Sequence, residues 1–306
     1  MSPLPRALAA ALALTAPLFL CLPSAAHPPE AQREFGDALL RDGDAYRAIG
    51  AYKGALFSAP DAPWAELVRY RIAVAYLVGG QPEAAMAEAS RLSGELGPLR
   101  LDAELLSARA AYAAESDRDL RLGLGAIEDE LAGARLAYAR YLWGWSRLRA
   151  WDFEGAAARF KEVPAGSPWS ADAQALTEAL GAGPAFSRKS PTLAALLSVI
   201  PGLGHLYLGM YGVALSALVW NGAFIYAMWE SAQAQQWGLL ALLGVLESIW
   251  YGGTVFGAVA GAHRHNRDAT LNQIDLWRQS HPPPGLPPEP PSGDAPPLGL
   301  ELRGRF

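Results

Sequence analysis

The chain has 306 residues, enough for one large or two modest domains, and its formal charge of −5 without a basic face argues against a nucleic-acid partner. Hydrophobic residues make up 51% and charged residues 18%, where soluble domains carry about 25% charged. The deficit is local: no charged residue occurs between Lys189 and Glu230, and only Glu230 and Glu247 occur from there to His263, so a soluble part is joined to a membrane part.

Residues 1–26 read as an export signal. Arg6 supplies the positive start, residues 7–22 an apolar core, and Ser24-Ala25-Ala26 a small-residue cleavage site. Cleavage is expected after Ala26; the alternative is an uncleaved anchor. Cys21, the only cysteine, lies inside this segment behind Leu20, where a lipoprotein signal wants a small residue, so lipidation is not expected. The mature chain then lacks cysteine, which removes disulfides, thiolate metal sites and a cysteine nucleophile.

Residues 31–180 are rich in Ala, Leu, Arg and Glu, which favours helix throughout, and punctuation near residues 43, 80, 117 and 151 divides the helices into pairs. Phe35 to Pro60 reads FGDALLRDGDAYRAIGAYKGALFSAP. Small Gly36, Ala48 and Ala55 let two helices approach, and Phe35 and Tyr52 are expected to fill the space around them. Similar positions recur as Ile72-Ala73, Tyr76, Gly80, Ala85 and Ala89. They recur again as Trp143-Gly144, Asp152-Phe153, Ala156-Ala157, Phe160 and Pro168. Residues 101–131 keep the length but little of the pattern, with Ala108, Ala111, Tyr112 and Ile127 as the best matches. Pro60, Pro98 and Pro168 fit a period near 36.

These residues resemble the tetratricopeptide repeat, whose period is about 34. The resemblance implies an all-α, tetratricopeptide-like helical repeat solenoid of four repeats, with 169–180 as a solvating end helix. It also implies a concave groove lined by first helices, in which a protein or peptide client binds. Arg33, Asp37, Tyr70, Val74, Tyr141 and Trp145 would face that groove.

Residues 181–190 form a Gly/Pro/Ser linker ending in Arg188 and Lys189, and the membrane module follows over 191–262. Residues 192–200 are a short apolar run. Residues 211–229 and 237–262 approach or exceed the roughly twenty residues a span needs, and a polar turn at 230–236 joins them as a transmembrane helical hairpin. Tyr207, Tyr211, Trp229, Trp237, Trp250 and Tyr251 include interfacial anchors.

The stretch KSPTLAALLSVIPGLGHLYLGMYGVALSALVWN resembles the two-transmembrane-helix domain family and related bacterial membrane domains of unknown function. The match rests on Lys189, Pro201, Gly202, Gly204, His205, Tyr207, Gly209 and Asn221. His205-Leu206-Tyr207 stands where that family usually has a charged residue beside the aromatic. The resemblance implies no catalytic activity. The Gly-x-Gly is no dinucleotide fingerprint, because no strand precedes it and no acidic ribose partner follows. It reads instead as a tight elbow in a re-entrant or third apolar helix over 192–207, with His205 hydrogen-bonded inside it. Irregular backbone at that depth has to be buried in protein or wetted.

Asn221 and Glu247 are equidistant from residue 234 and are expected to lie level across the hairpin as an intramembrane polar pair. Residues 263–280, with Arg264, Arg267 and Arg278 among Leu271, Ile274 and Trp277, are expected to form a short interfacial helix. Residues 281–306 are a Pro-rich tail, expected to be extended or disordered. It reads as a bare spacer or as a ligand for a proline-recognition domain.

No nucleophile, base and orienter occur together, Glu128 and Glu130 are expected on solvated helix, and His263 and His265 diverge at a two-residue spacing. The reading is therefore no enzyme, no metal and no cofactor. The expected function is a scaffold at the bacterial inner membrane, with periplasmic repeats, a protein or peptide client and lipid around the module. Homo- or hetero-oligomers through that module remain open. The competing reading is a transport or membrane-insertion component whose module carries the activity.

Overall fold

The structure, a computed structural model, describes residues 28–94, 97–183, 185–290 and 298–300. The expected signal segment 1–26, with Cys21, lies outside the described residues, as do 291–297 and 301–306 of the tail. Thirteen α-helices, a three-residue 3-10 turn and no strand occur among the described residues. By its contacts the chain forms two units, which comprise, among the described residues, 28–110 with 289–300 and 111–288.

In the first unit α1 (Pro29–Arg41) packs on α2 (Ala45–Ser58), and α3 (Ala65–Val78) on α4 (Pro82–Ser93). The helix α5 (Arg100–Ala113) runs from the first unit into the second. There α6 (Asp117–Ile127) is followed by the antiparallel pair α7 (Gly133–Arg149) and α8 (Phe153–Lys161), and α9 (Ser170–Gly181) packs on α8.

Four helices end in the same way. Gly43, Gly80, Glu115 and Trp151 have positive φ of 82°, 71°, 59° and 64°. Each donates its N–H to the carbonyl three residues back, and the following residue donates to the carbonyl five back. Gly43 thus bonds Leu40 and Asp44 bonds Leu39, while Trp151 bonds Leu148 and Asp152 bonds Arg147. These bonds satisfy carbonyls that a helix end leaves open. The next residue in each case, Asp44, Gln81, Ser116 or Asp152, caps the second helix. The carboxylates of Asp44 and Asp152 accept from Arg47 N–H and Gly155 N–H, a cap worth about 1 kcal/mol. Hydrogen bonds from the Arg147 guanidinium and the Gly155 N–H hold the Asp152 carboxyl below its ordinary pKa.

Matching positions flank each turn. Seven residues before it stand Gly36, Ala73, Ala108 and Gly144; nine after it stand Tyr52, Ala89, Leu124 and Phe160; all eight are buried. A methyl group on Gly36 would lie 2.6 Å from the Tyr52 ring, and one on Gly144 2.5 Å from Phe160. Phe35 does not join this core as expected. It is 52% exposed, with the Arg47 guanidinium 6.0 Å from its ring centroid.

The apolar part begins with α10 (Pro191–Leu197) and α11 (Leu203–Tyr207), of 7 and 5 residues. Both are far shorter than a span. The helices α12 (Tyr211–Gln233) and α13 (Trp237–Ser280) have 23 and 44 residues and are long and apolar enough to cross a membrane. At 1.5 Å per residue α12 is ~35 Å long, against a hydrocarbon core of ~30 Å. Leu215, Val219, Ile225, Ile249 and Phe256 expose their side chains, as lipid-facing residues do.

Residues 263–280 do not form a separate interfacial helix. They continue α13 without a break, because the stretch contains neither Gly nor Pro and a change from apolar to polar side chains does not interrupt the backbone. Thr270 and Ile274 are buried there, and Trp277 lines an ~80 Å³ cavity with Phe153, Leu180 and Phe186.

Gly144→Ala should lower unfolding stability by about 1–3 kcal/mol through overpacking against Phe160. Gly50, inside α2, faces open space; Gly50→Ala should stabilise by roughly 0.5–1 kcal/mol through helix propensity alone. Denaturant unfolding of the two variants measures both signs, and equal effects would contradict this packing.

Candidate functional site

The functional geometry in the second unit is built on α7 and α9. Tyr138 and Tyr141 lie one turn apart on α7, and Trp169 and Asp172 stand at the start of α9. The ring of Tyr138 meets Trp169 edge-on at 5.4 Å, and Tyr141 packs on Phe160 at 5.6 Å. This face holds the first part of the Pro-rich tail. The Tyr141 hydroxyl lies 3.3 Å from the His281 carbonyl and donates to Pro282 O at 3.0 Å; Tyr138 donates to Gly285 O at 2.8 Å. The ring Nδ1 of His281 lies 2.9 Å from Asp172 Oδ1. Pro284 and Pro287 are buried. Burial pushes the Tyr141 phenol well above its ordinary pKa, so the hydroxyl stays a donor at any physiological pH.

The start of the tail, 281–290, has neither helix nor strand, with bends at 281 and 286, and 281–288 is held by side chains about 140 residues away in sequence. Tyr141, expected to face a client, is fully buried against that segment. Trp145, one turn further, is also buried and packs edge-on against Phe160 at 6.3 Å.

The groove positions expected in the first unit are not open either. Asp37 is buried: its Oδ1 accepts from Tyr52 OH at 2.7 Å and Arg71 Nη1 at 2.6 Å. The pair ties α1 to α2 and α3, with both charged side chains 3% exposed. A buried ion pair is costly to break, about 3–5 kcal/mol when one partner is removed. Burial, reinforced by the Asp37 charge, pushes the Tyr52 phenol far above its ordinary pKa. Tyr70 and Val74 are buried, and only part of Arg33 reaches solvent, beside Glu34.

Glu128 departs from its expected solvated place. It opens the 3-10 turn and is clamped by Arg140 at 3.1 Å and by Arg159, whose Nη1 lies 3.0 Å from both carboxylate oxygens. The Arg159 guanidinium also lies over the Trp143 ring at 3.7 Å. This is a packing role, which spacing alone did not reveal.

The module motif does come together. Gly202 and Gly209 have φ of 89° and 76°, which Gly adopts without a Cβ penalty, and Pro201 precedes the first of these turns. A methyl group on Gly204 would collide with Ser198 Oγ and lie 2.5 Å from Ala194 O. Ala194, Ala258 and Ala262 are fully buried beside Tyr207 and Leu208. The Tyr207 hydroxyl accepts from Ser190 N–H at 2.9 Å, and Lys189 Nζ lies 4.7 Å from the Tyr207 ring centroid. Sequence reasoning missed Asn266, whose carboxamide makes two 2.8 Å bonds, accepting from Lys189 N–H and donating to Lys189 O. It looked like one polar residue among many.

His205 is buried, but the hydrogen bond expected of it is not made: Nδ1 has no partner among the described residues. The ring borders a cleft of ~710 Å³ between α12 and α13, with Phe224, Trp250 and, at the rim, Arg264.

Asn221 and Glu247 share no hydrogen bond. The Asn221 amide donates to Ala217 O at 2.6 Å in its own helix, while Asn221 Oδ1 and Glu247 Oε2 have no partner among the described residues. The left-handed residue of the connection is Gln235, and the rings of Trp220 and Trp250 meet at 6.2 Å, equidistant from 235 rather than 234. A midpoint moved by one residue moves the opposing residue by two, a rotation of about 200°.

Compared with known proteins, the chain matches no family model and no curated sequence.

Cysteines at 220 and 250 should join through a short bis-maleimide in membranes, and cysteines at 221 and 247 should join much less. Efficient joining of only the second pair would restore the register that the structure replaces.

Proposed function

We propose that this chain is a membrane-anchored scaffold. In this reading tetratricopeptide-like repeats, tethered by the α12–α13 hairpin at the bacterial inner membrane, collect a protein or peptide client on the periplasmic side. The observation that carries the reading is the face of α7 and α9. It takes up a non-helical, proline-rich segment through side-chain donors, in the same unit as two helices apolar enough for a membrane.

Further support comes from the repeat geometry. Four left-handed turns, 37, 35 and 36 residues apart, each stand between a small buried residue and a buried residue on the following helix. That periodicity includes 101–131, where the sequence pattern is faintest. For the side of the membrane, the support is the signal-like start of the chain together with the brevity of α10 and α11. An even number of spans returns residues 190 and 281 to one side. Arg188, Lys189, Arg264 and Arg267 lean toward the cytoplasm by the charge rule, but a large translocated domain overrides such local charge.

A second reading has its own observation. The ~710 Å³ cleft with His205 and Arg264, and the unpartnered Glu247 Oε2, suit a transport or insertion component whose module is itself active.

Exchanging 191–262 for an unrelated two-helix anchor separates the two. The scaffold reading expects client capture and cellular function to survive. Loss of function with capture intact supports the second reading. A reporter placed after Ser187 should be active outside the cytoplasm; activity only inside it would overturn the periplasmic assignment.

A further inference from the structure

We infer that the α7–α9 face is a receptor for proline-rich segments, and that the chain's own tail is its resident, displaceable ligand. The inference rests on the scaffold reading and names both the class of partner and the control on its entry. Three features of the contact select such a partner. The tyrosine donors reach backbone carbonyls of His281, Pro282 and Gly285, so the site asks its ligand for carbonyl acceptors. A proline supplies such an acceptor without an N–H of its own, which suits the two tyrosine hydroxyls of this face. The two donors are held by aromatic neighbours, Tyr138 crossed with Trp169 and Tyr141 with Phe160, and Pro284 and Pro287 of the segment are buried. Proline-rich segments are already extended before binding, so docking them on this face orders little further chain.

Asp172 adds selectivity at one end, where it meets His281 at 2.9 Å. A ligand with a histidine or another donor just before its prolines reproduces this contact. The tail itself needs no search to find the face, because His281 is the cap of α13 and the segment starts there. A tethered segment acts at an effective concentration of roughly millimolar, so it keeps out a free peptide of moderate affinity.

The probe is a fluorescent peptide HPPPGLPPEP, the sequence of residues 281–290, with an all-alanine replacement of its prolines as control. It is titrated into the full chain and into a chain whose residues 282–288 are exchanged for Gly-Ser of equal length. The exchanged chain should bind the peptide at least about tenfold more tightly than the natural chain, and should not bind the control. Adding Tyr138→Phe and Tyr141→Phe to the exchanged chain should weaken binding roughly tenfold. Equal affinity in the natural and exchanged chains would overturn occlusion, and no binding by a normally helical exchanged chain would overturn the receptor.

A second measurement keeps the natural tail sequence almost intact. In a full chain carrying Cys21→Ser and Leu286→Cys, excess free peptide should speed thiol labelling at 286. An unchanged rate overturns displacement even if the exchanged chain fails to fold. Peptide binding by a chain that loses its cellular role on anchor exchange would leave this inference standing and count against the scaffold alone.

Discussion

A pair of backbone hydrogen bonds closed around one left-handed residue governs how this chain turns. It appears at Gly43, Gly80, Glu115 and Trp151, again at Gly209 with bonds to Leu206 and His205, and again at Gln235 with bonds to Ala232 and Ser231. A non-glycine residue in this conformation costs roughly 1–2 kcal/mol, and Glu115, Trp151 and Gln235 carry that cost. The compensation is twofold. Helix-end carbonyls are satisfied without water, and the next residue is set up to cap the following helix. The same device therefore builds both the first helix pairs and the apolar α12–α13 hairpin.

Once the turn is set, side-chain size at one position decides how the two helices meet. Gly36 and Gly144 accept an aromatic ring from the partner helix, Tyr52 and Phe160, at distances no Cβ would tolerate. At Ala73 and Ala89 both partners are small and both are buried. The ring inserted over Gly144 then meets Tyr141 and Trp145, and Tyr141 is one of the two residues that hold the tail. A packing choice inside a helix pair thus orients a functional hydroxyl.

Much of this was legible in the residues. Breaks near 43, 80, 117 and 151 locate the turns within two residues, and the apolar lengths locate α12 and the start of α13. Gly36 with Tyr52 and Gly144 with Phe160 were legible as motif positions, though not as contacting pairs. The misreadings share a cause. Asp37 and Tyr141 were expected in the groove by resemblance and Glu128 on solvated helix, and each is covered by groups elsewhere in the chain: Arg71, the tail carbonyls, and Arg140 with Arg159. The hydrogen bond expected between Asn221 and Glu247 is not made: the connection turns at Gln235, and Trp220 meets Trp250 in a register centred one residue later than the spacing implied. The pattern over 101–131 was faint because Ala108 and Leu124, the positions flanking its turn, are common residues that carry no signature.

The continuity of α13 gives the tail contact its physical significance. From Trp237 to Ser280 the backbone has no hinge, and Gly252, Gly253, Gly257 and Gly261 all lie in the apolar part before residue 263. The polar part that follows is anchored by Asn266 to Lys189 and by buried Thr270 and Ile274. The cap His281 is thus the end of a stiff rod that begins in the hairpin. Proline rings at 282–284 stiffen the chain beyond it, so little conformational entropy separates the docked from the undocked tail. Docking then needs few bonds to persist, and three hydroxyl–carbonyl contacts with one acid–histidine pair are of that modest order. A contact built this way is strong enough to fill the face and weak enough to yield to a ligand that makes the same bonds and one or two more.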